Sequence, residues 1–414
     1  MVKLNIFFLR ISVFFLSFVY ILNLHAQDLY KGDSTNIKTT SENITSKKYI
    51  SENIKDIAIS SLPLIATGLI ITNYKNEYRD LRYNLTPNFK NNTDNYLQYS
   101  PLAVMLGLKT LGVDSRSNWS SMLVSDALSV AIMSSAINLI KYTVSIKRPD
   151  GSSNNSFPSG HTATAFMAAT MLNKEYGHKS PFISIGAYSV AAATGIMRIL
   201  NNRHWISDVI AGAGIGIMST ELGYMLGDII FKNKDLRSSK YKFEKSYKPS
   251  FLGINTGISL PLNSNNCSTI KLLSGSIISL EGAYFINPYL GFGLDLSAYN
   301  FSCVENTYSE DVNSFSALKA GTGIYLSYPI SNRFSIGVRT LVSSIFNPVI
   351  NLHNQKLSPQ KNICYELGSM FTFRIHKNYS IRLFSSYNIL PYKGININKK
   401  IKSISFATSY LITF

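Results

Sequence analysis

The sequence predicts a multidomain chain of the α-then-β kind: a helical bundle over residues 54–231, then an antiparallel β-barrel of about eight strands over 250–414. Three observations predict it. Long apolar stretches rich in Ala, Gly, Ser and Met recur as far as Phe231 and are too long for strands. After a basic, polar linker at 232–249 the hydrophobic period falls to two, as in Leu290-Gly-Phe-Gly-Leu294, Phe334-Ser-Ile-Gly-Val338 and Tyr379-Ser-Ile-Arg-Leu383. The alternating runs are joined on one side by short turns (Phe285–Tyr289, Tyr328–Phe334, Ile375–Tyr379) and on the other by longer polar loops (Val304–Asn313, Asn347–Asn362). That asymmetry is the mark of an outer-membrane barrel, where aromatic residues also gather near strand ends.

The elements follow in order. Lys3 and Arg10 flank the start of an apolar run, Ile11–Leu24, and Ala26 offers a small residue for cleavage before Gln27, so residues 1–26 are expected to be an export signal. The run is short for a membrane span. Residues 27–53 are rich in Ser, Thr, Asn and Lys and are expected to form an irregular polar arm. Helices are predicted at Ile57–Thr72, Pro101–Leu111, Trp119–Tyr142, His161–Lys174, Pro181–Arg198 and Trp205–Phe231. The final strand alternates to a terminal Phe414, which resembles the assembly signal of outer-membrane proteins.

Composition narrows the partners. Forty basic residues stand against 23 acidic ones, a net charge of +17. With an export signal and a membrane-type barrel, that excess favours a membrane surface and an anionic or phosphorylated lipid or glycolipid over nucleic acid. Cys267, Cys303 and Cys364 lack paired spacing, so no zinc site is implied. Gly212-Ala-Gly-Ile-Gly216 has the wrong spacing and no preceding strand for a dinucleotide loop; it reads as a helix face made small for close packing. His25, His178, His353 and His376 have no partners that suggest chemistry.

Three short strings do suggest it: Lys141-Tyr-Thr-Val-Ser-Ile-Lys-Arg148-Pro149, Pro158-Ser-Gly-His161 and Arg198-Ile-Leu-Asn-Asn-Arg-His204-Trp-Ile-Ser-Asp208. Lys141, Arg148 and Arg198 can stabilise the negative charge that a phosphoryl group spreads over its oxygens, arginine by a bidentate fork and lysine as a point charge. His204 and Asp208 share a face if helical, so the carboxylate can fix one ring nitrogen and leave the other to attack. His161 can serve as a general acid, and Ser159 and Gly160 precede it where a helix is expected to begin, so that backbone amides point at an anion. Any one of these residues alone would read as a solvated charge or a helix cap. Arg203 lies outside the pattern, beside His204.

The three strings resemble the type-2 phosphatidic acid phosphatase and vanadium haloperoxidase superfamily, whose pattern is K-x6-RP, PSGH, then SR-x5-H-x3-D. The resemblance spans Lys141 to Asp208, and its helical surround reaches residues 53–231. It implies that His204 is the nucleophile and forms a phosphohistidine, that Asp208 orients it, and that His161 is the acid. It implies that Lys141, Arg148, Ser159, Gly160 and Arg198 hold the phosphate. No ligand cluster accompanies the pocket, so no metal and no cofactor are expected. Met197 stands where the family has serine, which removes one phosphate contact. The expectation is a metal-independent envelope phosphatase acting on a lipid-linked phosphate monoester or pyrophosphate. The alternatives are a nonspecific periplasmic acid phosphatase, a vanadate-dependent haloperoxidase, and an outer-membrane binding protein with an inactive enzyme domain. The expected location is the outer membrane with a periplasmic phosphatase domain, the alternative being the inner membrane.

Overall fold

The computed structural model describes residues 37–72, 79, 82–83, 86, 88–231, 249–262, 270–305, 313–351, 363–376, 379–394 and 397–414. The expected export signal at 1–26 and most of the linker lie outside them.

Among the described residues the helical half has seven helices: α1 (Ile37–Ile71), α2 (Asp94–Leu97), α3 (Ser100–Thr110), α4 (Trp119–Val144), α5 (Gly160–Tyr176), α6 (Pro181–Leu200) and α7 (Ile206–Ile230). Local chemistry sets their starts. Asn118 caps α4 by accepting the Ser121 amide at 2.9 Å. Ser180 caps α6 ahead of Pro181, whose fixed φ and missing N–H suit the first turn. Helix α1 begins at Ile37, inside the stretch whose composition predicts an irregular arm. Polarity misleads there because nothing between Ile37 and Leu62 is Gly or Pro, so no residue breaks the helix.

Helix α7 is the hub, buried along nearly its whole length, with α1, α4 and α5 around it. Its glycines allow this. A Cβ on Gly212 would stand 2.6 Å from the Ser159 carbonyl oxygen, and one on Gly216 would stand 2.3 Å from that of Ala163. The run Gly212–Gly216 is therefore a packing face. Four segments, Asn53–Ile71, Trp119–Val144, Pro181–Leu200 and Ile206–Ile230, are long and apolar enough to cross a membrane. Helix α4 leaves Leu123, Val130 and Leu139 exposed, which a lipid environment would cover.

The second half is a closed antiparallel barrel of eight strands: β1 (Phe251–Pro261), β2 (Ile270–Phe285), β3 (Leu290–Glu305), β4 (Asn313–Pro329), β5 (Phe334–Asn351), β6 (Ile363–His376), β7 (Tyr379–Gly394) and β8 (Ile397–Thr413). It closes by pairing Phe251 with Thr413. The predicted turns at 285–289, 328–334 and 375–379 fall where strands reverse. Alternation places Leu294, Leu326, Leu367 and Leu383 outside, and Glu281, Asp295, Lys319 and Arg339 inside. An apolar exterior around a polar lumen inverts the soluble pattern and is that of a membrane barrel.

The helical half packs on the barrel's outer wall. Tyr379, Tyr410 and Ile412 join the core of the helical bundle. Tyr410 donates its hydroxyl hydrogen to the Ser60 carbonyl of α1.

Candidate active site

Four helix ends meet at one end of the bundle: α4 and α6 finish there, and α5 and α7 begin. Lys141 comes from the last turn of α4, Arg198 from that of α6, and Ser159 is the N-cap of α5, its hydroxyl on Thr162. A helix C-terminus beside an N-terminus suits this chemistry. Cations stabilise the first, and the second offers free amides to an anion.

His204 sits in the loop between α6 and α7 and is 2% exposed. Its Nδ1 stands 3.5 Å from Asp208 Oδ2, a few tenths of an ångström beyond a full hydrogen bond. Asp208 is fixed from three sides: Ser156 Oγ and the Trp205 amide donate to its Oδ2 at 2.5 and 2.9 Å, and Ser207 Oγ donates to Oδ1 at 3.2 Å. The Trp205 bond is the half of a capping box in which the third-position carboxylate accepts the N-cap amide, so one carboxylate both starts α7 and aims the histidine. The Ser159 amide donates to the Asp208 carbonyl at 3.0 Å, tying the Pro158-Ser-Gly-His turn to the same helix.

His161 is half-buried, and its Nε2 pairs with Asn95 Oδ1 at 2.9 Å. Burial, then the positive field of Arg198, pushes its pKa down to about 4, while Asp94 opposes. Burial also lowers His204, against the pull of Asp208. Both imidazoles are thus neutral at neutral pH. That suits a nucleophile, and it means that an acid must gain its proton when substrate arrives.

The cations converge on the same place. His204 feels the charges of Arg198 and Lys141, and His161 those of Arg198 and Arg148. Arg148 is lowered by burial and by Arg198, the repulsion expected where cations are gathered for an anion. Arg198 donates to Asp94 Oδ2 at 2.6 Å and Lys141 to the Asn155 carbonyl at 2.8 Å. Arg148 Nε and Arg198 Nε are buried donors with no hydrogen-bond partner among the described residues. Two orphan guanidinium donors beside an imidazole are a poor structural arrangement and a good oxyanion cradle. At Gly160 a Cβ would meet only Ile137 Cγ2, at 3.9 Å, so its backbone is approachable. Among the described residues no group of three or more His, Cys, Asp or Glu could hold a metal.

All eight expected site residues therefore lie at one end of the bundle. Arg203 turns away to Asp150 at 3.2 Å. Sequence reasoning missed Asp94, Asn95 and Ser156. The first two come from the polar stretch before Tyr96 and carry no motif. Ser156 lies two residues before Pro158, and its partnership with Asp208 bridges 52 positions of chain.

Known proteins resemble the chain in each of its halves. Residues 118–227 match the PAP2 superfamily model. Over 193 residues the chain is 46% identical to a lipid A 1-phosphatase of Porphyromonas gingivalis, a match covering 46% of this chain and 43% of that relative. The chain thus spans less than half the length of the curated relative it matches. Similar solved structures include the transmembrane PAP2-type phosphatidylglycerolphosphate phosphatase of Bacillus subtilis, 18% identical with a TM-score of 0.33, covering 44% of this chain and 99% of that one. LpxE of Aquifex aeolicus is 20% identical with a TM-score of 0.28, over 35% of this chain and 92% of that one. Neisserial surface protein A is 13% identical with a TM-score of 0.32, over 41% of this chain and 100% of that one. Over residues 118–227 the helical half is thus similar to the PAP2 superfamily.

Proposed function

We propose that this chain is a metal-independent phosphatase of the bacterial outer membrane that removes a phosphate from a membrane lipid through a phosphohistidine at His204. The observation that carries the reading is the convergence of Lys141, Arg148 and Arg198, the two arginines each with an orphan Nε donor, on His204 and His161. Asp208 holds Nδ1 of His204, so Nε2 attacks phosphorus in line with the leaving oxygen. The three cations and the amides at the start of α5 take up charge on the equatorial oxygens. His161 gives its proton to the leaving alkoxide, then takes one from the water that opens the phosphohistidine. The close relative is named for lipid A, so a glycolipid phosphate is the substrate proposed first.

The test is phosphate release by the purified full-length chain in detergent, from lipid A, phosphatidic acid and a soluble aryl phosphate, with and without EDTA. Release should survive EDTA and vanish in His204→Ala. Acid-labile radiolabel from a phosphate-labelled substrate should map to His204. Label on another residue, or metal dependence, would refute the mechanism.

A further inference from the structure

The helical half lies along the barrel wall in one direction only. Helix α6 starts at the barrel end that carries the short turns and the chain's last residue. Phe182 stacks on Tyr284 at 5.3 Å, one residue from the end of β2, and Tyr188 meets Phe414 at 6.1 Å. From Phe182 to Arg198 the helix rises about 24 Å. The apolar band of a membrane barrel is about 25 Å tall. The catalytic end of α6 therefore reaches the opposite edge of that band, on the side of the long loops.

Between the two halves lies an apolar cleft of about 330 Å³. Ala192, Gly195, Ile196, Ile199, Ile210 and Ala213 form its helical side. The barrel side is a continuous row of cross-strand neighbours, Ile278–Ala298–Leu318–Phe346, with Ile254–Leu280–Leu296 beside it. Leu318 and Phe346 lie near the long-loop ends of β4 and β5. Arg82, Ile199 and Ile206 line both this cleft and a small cavity at His204. Arg82 is held there by the Leu200 carbonyl at 2.8 Å.

Resting on the phosphatase reading above, we propose that the enzyme takes its lipid from the leaflet on the long-loop side, which in an outer-membrane barrel is the cell surface. The phosphate sits at His204 and an acyl chain runs over Ile199 and Ile206 into the cleft against the barrel wall. The barrel thus forms half of the lipid site. A periplasmic placement of the helical domain gives way to one in which both halves share a bilayer.

Two experiments test this on the full chain. The first needs no activity. With the three native cysteines replaced by serine, Asn154→Cys on the catalytic side and His178→Cys at the far end are exposed reporters. A membrane-impermeant maleimide should label Asn154→Cys in intact cells, and His178→Cys only after permeabilisation. The reverse pattern would overturn the proposal. The second fills the cleft from the barrel side with Ile278→Trp and Leu318→Trp, away from the catalytic groups. For a long-chain lipid phosphate, KM should rise at least about tenfold, since each methylene denied burial costs about fourfold in affinity. The kcat/KM for a soluble aryl phosphate should not change. Equal effects on both substrates, or none on either, would overturn the cleft. A wild-type chain that hydrolyses neither substrate would instead defeat the phosphatase reading and leave the labelling result standing.

Discussion

Gly212→Ala is the sharpest probe of how the bundle positions its chemistry. Gly212 lies one turn after Asp208 on α7, and a Cβ there would stand 2.6 Å from the Ser159 carbonyl oxygen and 3.4 Å from Thr162 Cβ. The offending oxygen is backbone in the N-cap of α5, so no rotamer change relieves it. An ordinary carbon–oxygen approach is about 3.3 Å, so the two helix starts must separate by about 0.7 Å. One carries His161 and the other Asp208. A misplacement near 1 Å costs about 10²-fold in rate, so kcat on a soluble aryl phosphate should fall between about tenfold and a hundredfold. Overpacking should cost about 1–3 kcal/mol, which outweighs the gain of about 0.5–1 kcal/mol that alanine brings to a helix interior. Gly186→Ala on α6 is the control: its Cβ would meet nothing within 4 Å, so that variant should gain stability and keep its kcat. The assay pairs kcat with thermal unfolding in detergent. A Gly212→Ala protein as stable and as active as its parent would refute the close-packing account of the site.

Two further outcomes are expected. His161 is lowered to about 4 in the free enzyme, so it is neutral above that pH and its proton must arrive with a monoanionic phosphate, whose second pKa is about 6. The value of kcat/KM should therefore decline above about pH 6, as a pH–rate profile would show, and a flat profile to pH 9 would exclude the proton route. Asp94→Asn should weaken the buried pair with Arg198, which is 2.6 Å long with both side chains almost fully enclosed. A loss of about 3 kcal/mol, read as a lowered unfolding midpoint, is expected, and bound vanadate should restore part of it by pairing Arg198 again.

The candidate site could be read from the sequence because its residues sit at fixed spacings on elements with clear starts and stops. Lys141 and Arg198 close apolar helices, Ser159 opens one as a cap, and His204 and Asp208 are four positions apart. Spacing could not reveal contacts that only packing creates. Asp94 reaches Arg198 across 104 positions, and Asn95 reaches His161 across 66. The barrel was legible because period-two alternation and turn chemistry are local. Helix α1 was foreseen only from Ile54, since the apolar pattern fades before it while helical propensity does not. How the halves meet was not legible. Outward residues such as Tyr410 and Ile412 carry the same alternation whether they face lipid or a protein neighbour.

That last ambiguity explains what the barrel can contribute. Its lumen is filled. Arg339 bridges Glu281 at 2.7 Å and Glu366 at 2.5 Å, Lys319 pairs with Glu366, and Arg382 reaches Glu281 at 3.5 Å. Tyr299 and Tyr325 are fully buried among them. An eight-stranded barrel has an interior just wide enough for side chains, and here those side chains are paired ions. Buried pairs add little to stability beyond what apolar packing would give, yet breaking one leaves an uncompensated charge, so among the described residues the barrel interior is occupied by paired side chains. What remains available is the outer wall. One sector of it, on β7, β8 and β1, packs on the helical core through Tyr379, Tyr410, Ile412 and Leu252. The adjoining sector, from β1 to β5, stands back far enough to leave the apolar cleft. On the proposed reading, a wall that binds at one edge and leaves space at the next fixes the height of the helical half in the bilayer and shapes the room beside His204.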